Sequence, residues 1–78
     1  MKPTIGRIVT YHLTEADKKL AAAKYENVND DLPAIIVAVW SETTVNLKVF
    51  NDGREDLHKM SCSIGEHPSN WSWPERVG

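Results

Sequence analysis

Apolar and polar residues alternate near the start of the chain and predict a first β-strand over residues 5–12. Successive side chains of a strand point to opposite faces. Ile8 and Thr10 therefore share one face of this strand, and Val9 and Tyr11 share the other.

A short surface helix is predicted to follow this strand. Thr14 with an acidic residue three positions later, Asp17, is typical of a helix start, because each side chain can bond the other residue's backbone N–H group. Residues 18–24 are rich in strong helix formers. Residues 25–33 are polar and acidic and end at Pro33, so a loop is predicted there.

Two neighbouring strands are predicted in the middle of the chain. Residues 34–40 are apolar on both faces, which indicates either a central strand or a face that meets another subunit. Residues 44–50 alternate, and the alternation places Asn46 and Lys48 on the outward face of that strand. The inward positions of the same strand are Val45, Leu47 and Val49.

A hairpin and a last extended segment complete the pattern. Residues 51–53 read Asn-Asp-Gly, a turn sequence in which glycine supplies the positive φ that the turn requires. Residues 56–63 return as a strand, with Met60 among its partial core positions, and residues 71–73 are predicted to be extended. The prediction is one mainly β domain over residues 1–78. It would be a small SH3-like antiparallel barrel or curled sheet of four or five strands, with one short helix after the first strand.

Size and charge narrow the classes of function. A chain of 78 residues buries only about 60–65% of the surface it exposes when unfolded, so a homo-oligomer would be more stable than a monomer. The formal net charge of −2 disfavours duplex DNA as a partner. The single cysteine, Cys62, excludes an internal disulfide and fits the cytoplasm. The longest apolar run, residues 34–40, is far shorter than the roughly 20 residues that span a membrane, so we expect no membrane span. Residues 1–8 lack the apolar region of a secretory signal, so we expect no standard export signal.

Catalytic motifs are missing from the sequence, and the protein is therefore expected not to be an enzyme. The histidines, His12, His58 and His67, lack the spacing of metal ligands, so we interpret them as structural or solvated. We accordingly predict no catalytic residue, no bound metal and no cofactor.

Aromatic residues carry the strongest functional signal. The chain has three tryptophans, and two of them stand together as Trp71 and Trp73. This pair is either a lid that closes the core or a stacking surface for a nucleobase or similar ring, since aromatic faces beside arginine hold such rings. Asn46 and Lys48 lie either on a solvated face or in polar contact with a ligand or a second subunit. The predicted ligand site combines stacking rings, cations for phosphate and one amide: Tyr11, Trp40, Trp71, Trp73, Arg7, Lys48, Arg76 and Asn46.

Four blocks of sequence together resemble a family of small tailed-phage and prophage proteins. The blocks are PTIGRIV at 3–9, PAIIV and VWS within 33–41, VNLKVF and DG within 45–53, and WSWPERV at 71–77. Residues 20–33 cover the segment in which members of that family differ in length. The resemblance implies a phage origin and a location in the host bacterial cytoplasm. It implies no catalytic residue.

The leading functional hypothesis follows from that resemblance. It is a homo-oligomeric anti-defence sponge, a protein that sequesters a nucleotide-like immune signal without altering it, in a pocket at a subunit interface. One alternative is a virion accessory, or an inhibitor that binds a host protein through its sheet face, as Phe50 and the apolar strand over 34–40 indicate. The other alternative is single-stranded nucleic-acid binding, which the negative net charge disfavours.

Overall fold

A curled antiparallel sheet of five strands, with one short helix, makes up the structure. The computed structural model describes residues 2–22, 31–50 and 56–74. The elements are β1 Ile8–His12, α1 Glu15–Ala22, β2 Asp31–Val39, β3 Thr44–Val49, β4 Leu57–Ser63 and β5 Trp71–Ser72. The strand order β4-β3-β2-β1-β5 makes a half-barrel with β2 at its centre, which confirms the predicted mainly β class and the helix after the first strand.

Several sequence predictions fall on parts of the chain that the structure does not describe. They are the end of the helix at residues 23–24, most of the predicted connector, the turn at 51–53, and Arg76.

The second strand begins earlier than the sequence indicated, because Pro33 lies within it instead of ending a loop. Thr10 of β1 is the register partner of Pro33, and the Phe50 N–H donates to the Pro33 carbonyl at 2.9 Å. The backbone N and the carbonyl oxygen of a strand residue point toward the same neighbouring strand. The N of Pro33, which has no hydrogen to donate, therefore faces Phe50, the residue that follows β3. A proline is tolerated there since only one ladder bond is lost.

The core lies on the concave face of the sheet. The predicted inward residues of β3, Val45, Leu47 and Val49, are all fully buried, which confirms the alternation read from the sequence. Buried residues of the other strands complete the cluster: Val9, Tyr11, Leu32, Ala34, Ile36, Cys62 and Trp71, with Leu13 beside them.

Two β-bulges lie on either side of β3, one in β2 and one in β4, and both are next to Asn46. In β2 the extra residue is Val37, because the register advances by two residues in β2 and by one in β3. In β4 two residues, Met60 and Ser61, lie opposite Asn46, and Ser61 takes a φ of 52°. The prediction that Met60 is a partial core residue is wrong: the bulge turns it outward and leaves it 67% exposed.

The helix is held to the sheet by one buried carboxylate. The side chain of Thr14 accepts from the Asp17 N–H, and the Thr14 N–H donates back to Asp17, each at 3.1 Å, as the predicted capping box requires. Asp17 is only 2% exposed, and it also accepts from the Tyr11 hydroxyl of β1 and the Lys59 ammonium of β4. One side chain thus caps α1 and joins it to two strands.

The segment after β4 draws the two edges of the sheet together at one end. Ile64 forms a parallel bridge with Trp71 of β5, and the Gly65 N–H donates to the Trp71 carbonyl at 2.9 Å. A side chain at position 65 would place its Cβ only 2.6 Å from the Asn70 side-chain oxygen, which accepts from the His67 N–H, so the Asn70 side chain would have to move. This closure positions the loop that carries Glu66 beside β1.

Candidate functional site

A shallow polar cleft opens on the convex face of the sheet, where β5, β1 and β2 lie side by side. Its volume is about 200 Å³. It lies on the face of β1 opposite the core, because His12 and Thr10 alternate with the buried Val9 and Tyr11. The lining residues are Thr10, His12, Asp31, Glu66, Ser72 and Trp73.

His12 is the centre of this cleft, and both of its ring nitrogens have partners. Nδ1 lies 2.7 Å from the Asp31 carboxylate, and Nε2 lies 2.9 Å from the Ser72 hydroxyl. The sheet register explains the first contact, since His12 and Asp31 are directly opposite in β1 and β2. The second is a diagonal contact across the β1–β5 pair, in which Ser72 faces Thr10.

The carboxylate of Asp31 determines which tautomer the neutral imidazole takes. An ionised carboxylate only accepts hydrogen bonds, so Nδ1 must carry the proton. Nε2 then presents a lone pair and accepts from the hydroxyl of Ser72. The His12 side chain is only 12% exposed, which holds this arrangement in one orientation.

The rim of the cleft is rich in hydrogen-bond acceptors. Asp31 and Glu66 are the acidic residues, and the Glu66 carboxylate lies 3.8 Å from His12 Nε2. Both carboxylates are more than half exposed, so each has lone pairs directed to solvent. Such a rim favours a ligand group that donates hydrogen bonds and disfavours a phosphate at the same point.

Trp73 supplies the aromatic wall. Its ring meets Trp71 edge-to-face, with the ring centroids 5.2 Å apart and an interplanar angle of 84°. The contact anchors the half-buried Trp73 ring against the core while part of it lines the cleft.

Two of the predicted stacking residues belong to the core. Trp71 is fully buried, and its indole N–H donates to the Thr43 carbonyl at 3.1 Å. Tyr11 is also buried, and its hydroxyl donates to Asp17 at 2.9 Å. Burial, with the hydrogen bond and charge of Asp17, raises the pKa of the Tyr11 hydroxyl far above its ordinary value. Neither ring offers a face to a ligand, so for Trp71 the structure agrees with the lid interpretation.

Trp40 and Asn46 form a separate pair on another part of the sheet. Trp40 is 65% exposed, and its indole N–H donates to the side-chain oxygen Oδ1 of Asn46 at 2.8 Å. The Ser61 N–H donates to the same oxygen at 2.8 Å. Asn46 was expected on the outward, solvated face but is only 8% exposed, because the flanking bulges and Trp40 enclose it.

The predicted cations also lie apart from the cleft's lining. Lys48 is exposed on β3 and pairs with Asp56 at 4.0 Å. Arg7 precedes β1, and its Nε donates to the Thr4 hydroxyl at 3.3 Å. Of the predicted site residues that the structure describes, only Trp73 lines the cleft.

Local sequence patterns did not identify the residues that line the cleft beside Trp73. His12 and Ser72 each stand next to an aromatic residue that the structure buries, and strand alternation therefore puts both on the outer face. The signal that would have paired them is the register of β1 with β5, which no local pattern reveals. The sequence pattern predicts a loop at Asp31, because it predicts that β2 begins after Pro33.

The fold and the cleft define a small antiparallel half-barrel protein with a His-centred polar site on its convex face. No protein-family model, curated protein or solved structure matches this chain, so the resemblance to phage proteins stays a prediction. Within residues 2–22, 31–50 and 56–74, no three histidine, cysteine or acidic side chains are grouped as metal ligands. No helix in the described part of the chain has the length and apolar character needed to cross a membrane.

Proposed function

We propose that this chain is a small-molecule binding protein and that its site is the cleft over His12. The observation that carries the proposal is the pairing of one aromatic wall, Trp73, with a rim of acceptors. A flat ring bearing amino or imino N–H groups satisfies both features at once. A nucleobase is such a ring, and the proposed ligand is therefore a nucleoside or nucleotide.

The chemistry of the rim supports a base in preference to a phosphate. Carboxylates accept hydrogen bonds from exocyclic amino groups of bases, as protein side chains do when they read cytosine. Stacking on an aromatic side chain contributes about 1–3 kcal/mol per base. The carboxylates of Asp31 and Glu66 and the ring of Trp73 are placed to supply these two terms.

The size of the cleft bears on the oligomeric state. Sites for drug-sized ligands occupy about 300–1,000 Å³, whereas this cleft offers about 200 Å³, enough for one ring and not for a whole nucleotide. The rest of such a ligand would extend beyond the rim. A second copy of the chain would enclose it there, as the homo-oligomeric sponge hypothesis requires.

Isothermal titration with nucleosides, nucleotides and cyclic dinucleotides tests the proposal. We expect Trp73→Ala to weaken binding about tenfold or more. Trp40→Ala is the matched control, because it removes an exposed tryptophan that does not line the cleft. Equal loss in both variants, or no member of the panel binding tighter than about 1 mM, would reject this function.

A second candidate function rests on the apolar residues exposed on the strands. Ile8 is 51% exposed on the outer face of β1, where it lies opposite Ile35, and Val37 and Phe50 are also exposed. Exposed apolar residues that share a surface are typical of a protein-binding site. The partner would be a virion component or a host protein.

Replacing one of those residues tests this second candidate. We expect Ile8→Glu to abolish copurification with virions or with one host protein. Ile5→Glu, at an even more exposed isoleucine that precedes the strand, should leave it intact. If both variants retain the partner, the outer face of β1 is not the interface.

A further inference from the structure

Ser72, His12 and Asp31 form a linear chain of hydrogen bonds whose geometry matches that of an activated nucleophile. The Ser72 Oγ to His12 Nε2 distance is 2.9 Å, and the His12 Nδ1 to Asp31 Oδ1 distance is 2.7 Å. The first lies within the roughly 2.6–3.2 Å that proton transfer from a nucleophile to its base requires, and the second is a hydrogen bond short enough to orient that base. The three residues come from three strands, β5, β1 and β2, so the rigid sheet holds them in place.

We propose that Ser72 is a nucleophile activated by His12, that Asp31 is its positioning residue, and that the site accepts the acyl group of short-chain carboxylic esters. This activity goes beyond the proposed binding function, which needs no nucleophile, and it revises the expectation that the protein is not an enzyme. The order of roles is that of the serine–histidine–aspartate arrangement, which is recognised by geometry and not by sequence spacing.

The exposure of Ser72 distinguishes this site from one in which a core histidine only forms structural hydrogen bonds. Ser72 is partly exposed and lines an open cleft, so an electrophile can reach its oxygen. The cleft's volume of about 200 Å³ suits an acetyl-sized group and not a long chain. The acidic rim of Asp31 and Glu66 favours esters of neutral or positively charged alcohols and repels anionic ones.

The chemical step conserves atoms and charge with no other reagent than the ester and water. Ser72 Oγ forms a bond to the carbonyl carbon while its proton moves to His12 Nε2, and the carbonyl π pair moves onto oxygen. That pair then reforms the carbonyl, the bond to the alcohol oxygen breaks, and Nε2 returns its proton to the departing alcohol. Water repeats the sequence on the acyl-serine and releases the acid, while Asp31 stays ionised throughout.

Labelling with an uncharged alkyl fluorophosphonate tests the nucleophile directly, since its P–F bond breaks as an O–P bond forms. We expect intact-protein mass spectrometry to show one adduct, and peptide mapping to place it on Ser72. Ser72→Ala should abolish the adduct, and hydrolysis of p-nitrophenyl acetate should fall about 100-fold or more. Ser63→Ala, at an exposed serine of β4, is the control and should label and hydrolyse as the wild type does.

Asp31→Asn tests the positioning role with a readout that loss of stability would not produce. We expect ¹⁵N NMR to show His12 protonated at Nδ1 in the wild type and a mixture of tautomers in the variant, with labelling slowed about 100-fold or more. Ser72→Cys gives a second measurement. Its thiol should react with iodoacetamide faster than that of Ser63→Cys, because His12 takes up its proton.

The outcomes separate this proposal from the binding proposal. Labelling of Ser72→Ala at the wild-type rate, or a Ser72→Cys thiol no faster than that of Ser63→Cys, would overturn the nucleophile. Neither result would bear on nucleotide affinity, which titration of Ser72→Ala measures independently. A protein that is labelled at Ser72 but binds no nucleotide would support the nucleophile alone.

Discussion

At the residue scale, three hydrogen-bonded sets each centre on a buried or half-buried polar side chain, namely Asp17, Asn46 or His12. They are Tyr11 with Asp17 and Lys59, Trp40 with Asn46 and Ser61, and Ser72 with His12 and Asp31. Buried polar groups without partners cost about 1–3 kcal/mol each, so a small core retains them only when they are paired. The first two sets satisfy structural needs. The third lies in a cleft and is therefore the one suited to chemistry.

The lone cysteine should be unreactive in the folded protein. Cys62 is buried, and burial raises the pKa of its thiol, although the Lys59 charge acts in the opposite direction. The thiol is therefore protonated near neutral pH and out of reach of reagents. We expect no labelling by Ellman's reagent in the native state and one equivalent after denaturation. Rapid native labelling would contradict the position of Cys62 in the core.

Asn46 should contribute measurably to stability through its side-chain oxygen Oδ1. Asn46→Ala removes the acceptor of the Trp40 indole and of the Ser61 N–H, so we expect a loss of about 1–2 kcal/mol in the free energy of unfolding by urea. Trp40→Phe removes only one of the two donors from an exposed position and should cost less. A larger loss for Trp40→Phe than for Asn46→Ala would show that packing of the Trp40 ring, and not the two hydrogen bonds to Asn46, supplies the stabilisation.

At the element scale, turns, bulges and caps determine how the short strands and the helix fit together. The bulges in β2 and β4 both occur beside Asn46 of β3, and they increase the local twist of the sheet. The bulge in β4 requires the left-handed backbone conformation that Ser61 takes, and a glycine would adopt that conformation with less strain. These irregularities produce the half-barrel from strands that would otherwise make a flatter sheet.

The helix should depend on its N-cap. Thr14→Ala removes the hydroxyl that accepts from the Asp17 N–H, while the Thr14 N–H still donates to the Asp17 carboxylate, so we expect a loss of about 1 kcal/mol. Thr14→Ser keeps the hydroxyl and is the matched control. Thermal unfolding followed by circular dichroism measures both. Equal stability of Thr14→Ala and wild type would show that the capping box does not support α1.

At the scale of the whole molecule, the buried charge of Asp17 joins the helix to two strands of the sheet, so this single side chain has a large influence. Burial by itself would raise the pKa of Asp17, but hydrogen bonds from Lys59, Thr14 and Tyr11 outweigh it and lower the pKa. Removing such a carboxylate from its partners leaves a charged lysine without its counter-ion. Stability of the whole fold is therefore linked to the protonation of this side chain.

Acid should destabilise the protein through Asp17. Because its pKa is lower in the folded state, the unfolded chain takes up the proton first as the pH falls below about 4. The stabilisation is present above that pH, falls as the pH drops toward the folded-state pKa, and is fully lost below it. Urea unfolding at a series of pH values measures the slope. In Asp17→Asn the overall stability should be lower and this part of the slope should vanish; an unchanged slope would assign the acid sensitivity to other carboxylates.

Local patterns predicted the elements well, whereas most of the predicted ligand residues that the structure describes lie away from the cleft. The alternation in β3 and the Thr14–Asp17 cap depend on neighbours in the chain, and both were read correctly from the sequence. The start of β2 and the outward position of Met60 depend on strand pairing and bulges. Of the ligand residues proposed from composition, Trp73 lines the cleft, whereas Tyr11 and Trp71 are core residues.

The sequence by itself determined a small, mainly β domain with one capped helix after the first strand, because hydrophobic periodicity and capping are local properties. Only the tertiary structure decided which polar residues meet. Residues 12, 31 and 72 are far apart in the chain, and they come together because two antiparallel registers align them on one face. A shift of either register by one residue would turn each paired side chain to the opposite face, so the His12 site is a property of the folded sheet.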